Sequence, residues 1–372
     1  MTGTPALVDS LPPMEVAARL PRLVAALEPA GCDALLVSSL ENIRYLTGFS
    51  GSAALLLVRG AGVLLCTDGR YRDQARLELE AAGVDAEVHV GLAASQLEAV
   101  RHGLGPARRL GVEAAAVSWA EVRRLQSILE GIVLVPTAGL VETLRMVKDE
   151  GEVARIEAAC AIADVALAQT KEMLLSGCSE VAFSAELDHE MLRRGASAPS
   201  FATIVASGPN AALPHARPSG RIVGRGELVV VDFGATVDGY HSDMTRTLCV
   251  GEPADGLDAV VEAVLAAQRA GVRAVVAGTA AAAVDAACRE SLEAAGYLEA
   301  FTHSTGHGVG LEIHEAPRLA AESADILPAD SVVTVEPGVY LPGRGGARIE
   351  DTVVVTDRGT RLLTKSTKDY TL

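Results

Sequence analysis

The sequence predicts two domains of different class: an α/β domain, followed by an α+β domain whose strands come in hairpins backed by helices. Three observations carry this expectation. The chain has 372 residues, more than one core at roughly 100–200 residues per domain. Up to residue 138, apolar strand runs alternate with helical periodicities, as in a small sheet covered on both faces. Beyond it, strands arrive in pairs joined by turn signals. The expected domains are 1–138 and 139–372, with the change of pattern at Val135-Pro136-Thr137-Ala138-Gly139.

The elements follow in order. Val16, Leu20, Leu23, Val24 and Leu27 recur at helical spacing, and Gly31 sits where a C-terminal cap belongs. Ala34–Val37, Ala53–Val58 and Val63–Cys66 are apolar strand runs, and a helix is expected from near Tyr71 to before Gly83. Ser118-Trp119-Ala120-Glu121 has capping-box spacing and opens a helix to about Leu129. In the second domain, a long helix is expected from Asp149 to about Met173.

Composition narrows the function. Lys and Arg number 32 against 48 Asp and Glu, a formal charge of −16, which argues against a nucleic-acid groove or an anionic membrane surface. It permits a cationic partner such as a free amino group. Aromatic residues are 3% while Ala and Gly abound, so many helix contacts should be made by small side chains. No apolar run approaches a membrane span, and no h-region follows the first basic residue, Arg19. Six cysteines lie scattered without a C-x-x-C pair, so neither a disulfide framework nor a zinc knuckle is expected. A cytoplasmic protein is the expectation.

The chemistry lies in the carboxylates of the second domain. Glu227–Gly234 is an apolar strand with Asp232 near its end, and Asp238-Gly239 is a two-residue hairpin signal. With those two residues as the loop, Asp232 faces Thr245 and Asp243 lies diagonally beside it on the same face, provided no bulge intervenes. Two ionised carboxylates side by side in a core repel unless a cation or proton lies between them. A second pair follows. Ser331–Glu336 reads as a strand ended by Pro337-Gly338, and Ala347–Val355 as another, with Arg348, Glu350 and Thr352 on one face. Between the hairpins, His303, His307 and His314 fall in a glycine-rich segment, where backbone can approach a ligand closely. Its G-x-G-x-G string lacks dinucleotide-loop spacing, and no G-x-S-x-G elbow occurs. Asp232, Asp243, His307, Glu336 and Glu350 together are four carboxylates and one imidazole. Two divalent cations would balance their charge, and oxygen-rich ligation favours Mn²⁺-like ions. Two such ions can acidify a shared water and clamp a tetrahedral intermediate, the chemistry of amide hydrolysis.

The strings Val230-Val231-Asp232-Phe233-Gly234, Gly239-Tyr240-His241-Ser242-Asp243-Met244-Thr245-Arg246-Thr247, His303–Gly310, Val335-Glu336-Pro337-Gly338-Val339-Tyr340 and Arg348-Ile349-Glu350-Asp351 resemble the five motifs of the pita-bread metallopeptidases. Within that group the chain is most similar to bacterial Xaa-Pro aminopeptidases and Xaa-Pro dipeptidases (prolidases). Asn42-Ile43-Arg44-Tyr45-Leu46-Thr47-Gly48-Phe49 and Thr67-Asp68-Gly69-Arg70-Tyr71 resemble the creatinase-like domain that precedes such catalytic domains.

The resemblance implies a dinuclear site, most readily of Mn²⁺, with Co²⁺ or Zn²⁺ as alternatives. Asp243 and Glu350 would bridge, Asp232 would hold one ion, and His307 and Glu336 the other. His215, in Ala211–Pro218, matches a histidine near the substrate. His303 and His314 match histidines at the scissile carbonyl or the proline side, and Arg348 an arginine near the substrate. A bridging hydroxide would attack, with Glu336 shuttling its proton and His314 stabilising the oxyanion. The implied substrates are peptides with proline second, and the implied assembly is a homodimer. A dipeptidase must also capture a free carboxylate, for which Arg348 and His215 are the candidates. The rival readings are a metal-free creatinase-like hydrolase and a non-catalytic binding module on the same fold. Both usually lose ligands, and all five are intact here.

Overall fold

The computed structural model describes residues 10–60 and 62–372. Residues 1–9, on which the expectation of no export signal partly rests, lie outside the described residues. Two compact units emerge, one from Met14 to Arg145 and the other from Met146 to Leu372 together with residues 10–13.

The first unit is a mixed sheet between helices. Its strands are β1 (Ala34–Val37), β2 (Ala54–Arg59), β3 (Gly62–Thr67), β4 (Glu87–Val90), β5 (Arg109–Glu113) and β6 (Val133–Thr137), in the order β4-β3-β2-β1-β5-β6. Neighbours β1, β2 and β3 run antiparallel, and β4, β5 and β6 join by parallel pairing. The helices are α1 (Arg19–Leu27), α2 (Leu40–Thr47), α3 (Arg72–Ala81), α4 (Ala93–Gly103), α5 (Trp119–Ile128) and α6 (Leu140–Arg145). The expected capping box is present: Ser118 Oγ accepts from the Glu121 amide, and Glu121 accepts from the Ser118 amide. Asn42 is buried because its amide donates to Glu113 Oε1 at 2.6 Å, while Glu113 Oε2 accepts from the Ser38 and Ser39 amides.

The second unit begins with the long helix α7 (Glu150–Thr170), capped by a second capping box between Asp149 and Glu152. It stops at Thr170, short of the expected Met173, because Lys171–Ser176 tightens into a 3₁₀ turn closed by Gly177 at φ +73°. Next come α8 (Glu180–Arg193), α9 (Leu257–Ala274) and α10 (Ala281–Ala294). The strands are β7 (Ala198–Pro199), β8 (Ile204–Ser207), β9 (Leu228–Phe233), β10 (Ala235–Val237), β11 (Tyr240–His241), β12 (Met244–Cys249), β13 (Gly306–Gly308), β14 (Glu315–Leu319), β15 (Val332–Val335), β16 (Gly338–Leu341), β17 (Gly345–Arg348), β18 (Asp351–Thr356) and β19 (Gly359–Leu362). They form antiparallel sheets ordered β12-β9-β8, β11-β10-β7, β14-β13-β15-β18-β19 and β16-β17. Apolar residues of α7 and α8 pack against β9 and β12, and those of α9 against β16 and β17.

Both hairpins keep their register but are bent where the acids lie. In the first, Asp232 faces Thr245 and Val237 faces Tyr240 across Asp238-Gly239. The ladder breaks at Gly234, opposite Asp243. A Cβ at Gly234 would overlap the Ser242 carbonyl, so the bend requires glycine. The second hairpin departs from expectation. Pro337-Gly338 bends its first strand instead of ending it: the chain resumes as β16, and the turn comes after Leu341. The return strand is likewise two pieces, β17 and β18, with Ile349 and Glu350 in the gap. Glu336 and Glu350 thus face one another at matching breaks, freed from the ladder to aim inward.

Candidate metal centre

Hydrogen bonds between the hairpins bring the acids together. The Glu350 amide donates to the Thr245 carbonyl at 3.1 Å, Thr352 Oγ1 to the Asp243 carbonyl at 2.7 Å, and Thr247 Oγ1 to the Arg348 carbonyl at 2.8 Å. From the side, the Glu336 amide donates to the Thr305 carbonyl at 2.8 Å, which fastens the histidine segment to β15. The result is a pocket of about 820 Å³ whose lining includes Asp232, Asp243, His307, Glu336 and Glu350 with His215, His303, His314 and Arg348. Every site residue expected from the sequence therefore borders one cavity.

One ligand atom each from Asp243, His307 and Glu350 lies within 4.8 Å of the others, a set that suits a metal ion. His307 Nε2 is 3.6 Å from Asp243 Oδ2 and 3.3 Å from Glu336 Oε1. Its Nδ1 lies 3.0 Å from the Gly308 carbonyl, which fixes the ring and turns Nε2 toward the acids. Asp232 Oδ1 and Glu350 Oε1 are buried with no hydrogen-bond partner among the described residues. Buried carboxylate oxygens are costly to leave unpaired, and hard cations are their natural partners.

The electrostatics agree. Burial, then the neighbouring Glu350, Asp232 and Glu336, push the Asp243 carboxyl well above its ordinary range. Glu350 is raised the same way, by burial and then Glu336 and Asp232. Asp232 is also raised, by burial, although the Arg348 guanidinium opposes this. Glu336 is the exception: burial pushes it up, but its hydrogen bond and charge pairing with His307 outweigh that and hold it below the usual range. Without cations the cluster would have to hold protons instead; the donor set fits divalent ions.

The remaining residues divide by what they touch. Arg348 borders the pocket yet is only 3% exposed. Its Nη2 donates to Asp232 Oδ2 at 2.6 Å, Nη1 to Tyr340 Oη at 2.8 Å and the Pro214 carbonyl at 3.1 Å, and Nε to Thr245 Oγ1 at 3.2 Å. Four of its five N–H groups are committed to the protein, which leaves little of it for a ligand carboxylate. His303 Nε2 lies 2.8 Å from Tyr340 Oη, and burial lowers its pKa. His314 is exposed to the cavity, its ring 4.3 Å from that of His307, and burial and then the His307 charge lower its pKa. His215 and Arg217 stand exposed on a wall formed by residues 214–218. A buried ion pair between Lys148 and Glu315, 2.6 Å apart, fixes the chain just after His314.

Sequence reasoning placed Thr245 opposite Asp232 without a role and missed Thr305, Tyr340 and Lys148. Thr245 and Tyr340 stood inside motif strings, but hydroxyl and ammonium partners are set by tertiary neighbours that no spacing encodes.

Comparison with known proteins gives the same site a context. Residues 154–357 match the model described as "Metallopeptidase family M24", and residues 19–147 match "Creatinase/Prolidase N-terminal domain". A Xaa-Pro dipeptidase of Pyrococcus furiosus is 35% identical over 356 residues, 94% of this chain and 99% of that protein. Among solved structures, the Xaa-Pro dipeptidase from Bacillus anthracis superposes with a TM-score of 0.90 at 39% identity, covering 96% of this chain and 100% of that one. The X-Pro aminopeptidase from Thermotoga maritima gives 0.86 at 35% identity, covering 95% and 100%.

Proposed function

Because the chain belongs to metallopeptidase family M24 and is itself a metallopeptidase, we propose that it is an exopeptidase dependent on two divalent ions, cleaving the Xaa-Pro bond at the N-terminus of short peptides, dipeptides included. The observation that carries this reading is the pocket lining of four carboxylates, Asp243 and Glu350 buried and Asp232 and Glu336 half-buried, with one imidazole, where Asp232 Oδ1 and Glu350 Oε1 have no hydrogen-bond partner among the described residues. The relatives named for Xaa-Pro substrates supply the bond type.

In this reading Asp243 and Glu350 would serve both ions, Asp232 would serve one of them, and His307 and Glu336 would serve the other. Mn²⁺ is the favoured ion, with Co²⁺ and Zn²⁺ as alternatives, on the oxygen-rich donor set. The bound ions would supply Lewis acidity, activating water and polarising the scissile carbonyl.

The chain's own groups do the rest. Glu336 lines the pocket, where its carboxylate is placed to accept a proton and pass it to the leaving amine. His314, with its pKa lowered, is a neutral imidazole at neutral pH and donates N–H to the oxygen that gains charge. His303, held against Tyr340, and His215 on the wall formed by residues 214–218 orient the peptide. Arg348 aims Asp232 and favours its ionised form against the effect of burial.

Full-length enzyme loaded with Mn²⁺ should cleave a Xaa-Pro dipeptide and a Xaa-Pro-Yaa tripeptide and leave the matching Xaa-Ala peptides intact. Failure on both proline substrates, or equal cleavage of the alanine controls, rejects the substrate class. A homodimer is the proposed assembly, checked by light scattering. A cytoplasmic location is consistent with six cysteines that are all free. Among the described residues no helix is long and apolar enough to cross a membrane.

A further inference from the structure

One wall of the pocket is a loop whose two ends are held by a single carboxylate outside the metal cluster. Glu180, the first residue of α8, has 0% exposure. Its Oε1 accepts from the Ser207 amide at 2.7 Å, Ser207 Oγ at 2.8 Å and Asn210 Nδ2 at 3.0 Å. Its Oε2 accepts from the Ser219 amide at 3.0 Å, Ser219 Oγ at 2.6 Å and Asn210 Nδ2 at 3.1 Å. Ser207 ends β8 and Ser219 follows Pro218, so the carboxylate closes residues 208–218 into a compact loop of the Ω type. A second pair supports the same base: Arg221 Nη1 donates to Ser207 Oγ at 2.8 Å and is salt-bridged to Glu227.

The far side of the loop is seated on the site. Gly346 has no room for a Cβ against the Ala211 carbonyl, and Arg348 Nη1 holds the Pro214 carbonyl at 3.1 Å. From the Pro214 support to the Ser219 anchor, Pro214, His215, Ala216, Arg217 and Pro218 line the cavity. We propose that Glu180 is a positioning residue for the peptidase reaction: it sets the place of His215 and of the wall against which the substrate lies. The inference rests on the peptidase reading of this pocket.

The chemistry demands a carboxylate. Backbone N–H groups converge on both oxygens and have no acceptor form, so an amide would turn its NH₂ against one of them. Glu180→Gln therefore keeps the volume and releases one end of the loop. In the full-length, metal-loaded protein, amide hydrogen exchange across 208–218 should quicken while the metal content stays at the wild-type level. For a Xaa-Pro substrate, kcat/KM should fall roughly tenfold to a hundredfold, mainly through KM, as a displaced positioning element would cause. The loss in Glu180→Gln combined with His215→Ala should be smaller than the product of the two single losses, because both act through the same wall. Ser219→Ala, which removes only one hydroxyl, should move exchange and KM in the same direction by less, and serves if Glu180→Gln does not fold. Wild-type exchange with wild-type KM, fully multiplicative losses, or a loss of metal in step with kcat would each overturn the assignment. A wild-type chain that cleaves no Xaa-Pro peptide would instead reject the peptidase reading, while the exchange result would still report on the loop.

Discussion

At Asp243 and Glu350, burial and neighbouring carboxylates act in the same direction, and both groups are raised well above the ordinary range. Asp232 differs because the Arg348 guanidinium sits 2.6 Å away and partly offsets its burial. Asp243→Asn should therefore cost more than Asp232→Asn in activity and in bound metal, since Asp243 is assigned to both ions; metal-to-protein ratios of the two purified variants check this, and equal losses would count against the bridging role. His314→Ala should fold normally, keep its metal, and lose roughly 10²–10³ in kcat, the usual cost of one stabilising donor. Wild-type turnover with full metal content would remove His314 from the reaction. Asp232 and Glu336 stood out as acids at the ends of apolar runs, Asp243 through the hairpin register, Glu350 through the period of its strand, and His307 through the clustering of histidines among glycines. Arg348 was legible as a site residue but not as one whose donors are already spent, because Tyr340, Thr245 and Pro214 reach it only through the fold. Glu180 left no signal beyond an acid in the first turn of a helix, which reads as ordinary dipole complementarity.

The hairpin is the element that builds the site. Its first copy could be read from the sequence because Asp238-Gly239 fixes the loop and a period of two fixes the faces. The second was only partly readable. Pro337-Gly338 is a strong stop signal, and nothing local tells a bend from an end. The bend at Gly234 gives a sharp expectation. Gly234→Ala places a methyl against the Ser242 carbonyl and should destabilise the fold by about 1–3 kcal/mol or more through overpacking, with metal affinity falling as Asp243 shifts. Denaturant titration with and without Mn²⁺ measures both effects. The loop anchor yields a pH test. Burial raises Glu180, but hydrogen bonds from Ser219, Ser207 and Asn210 outweigh it and hold the carboxyl below its ordinary value. A depressed folded pKa means the contribution is complete above the unfolded value, about 4.3, and is lost as pH falls through the folded value. The gap in melting temperature between wild type and Glu180→Gln should therefore be constant near neutrality and close below about pH 4. A gap that widens on acidification would reverse the assignment.

Over the whole molecule, the sequence conveyed fold class better than site wiring, because hydrophobic periodicity is written residue by residue while hydrogen-bond partners lie far apart along the chain. The six cysteines are free, and burial pushes the Cys66 and Cys288 thiols up to about 12. Thiols that hold their protons this firmly react slowly. Under native conditions most of the six should resist alkylation, with Cys178, the one not fully buried, labelled first; mass analysis reads the order. The metal centre binds the account together, since ions that bind the native state also stabilise it, by about 2.7 kcal/mol per site at a hundredfold excess over Kd. The most direct test is elemental analysis of the purified chain paired with Xaa-Pro hydrolysis and thermal melting before and after chelation. The expected result is two divalent ions per chain, with activity and melting temperature falling together on chelation and returning together with Mn²⁺. Full activity in protein shown to contain no metal would contradict the ligand assignment and the mechanism at once.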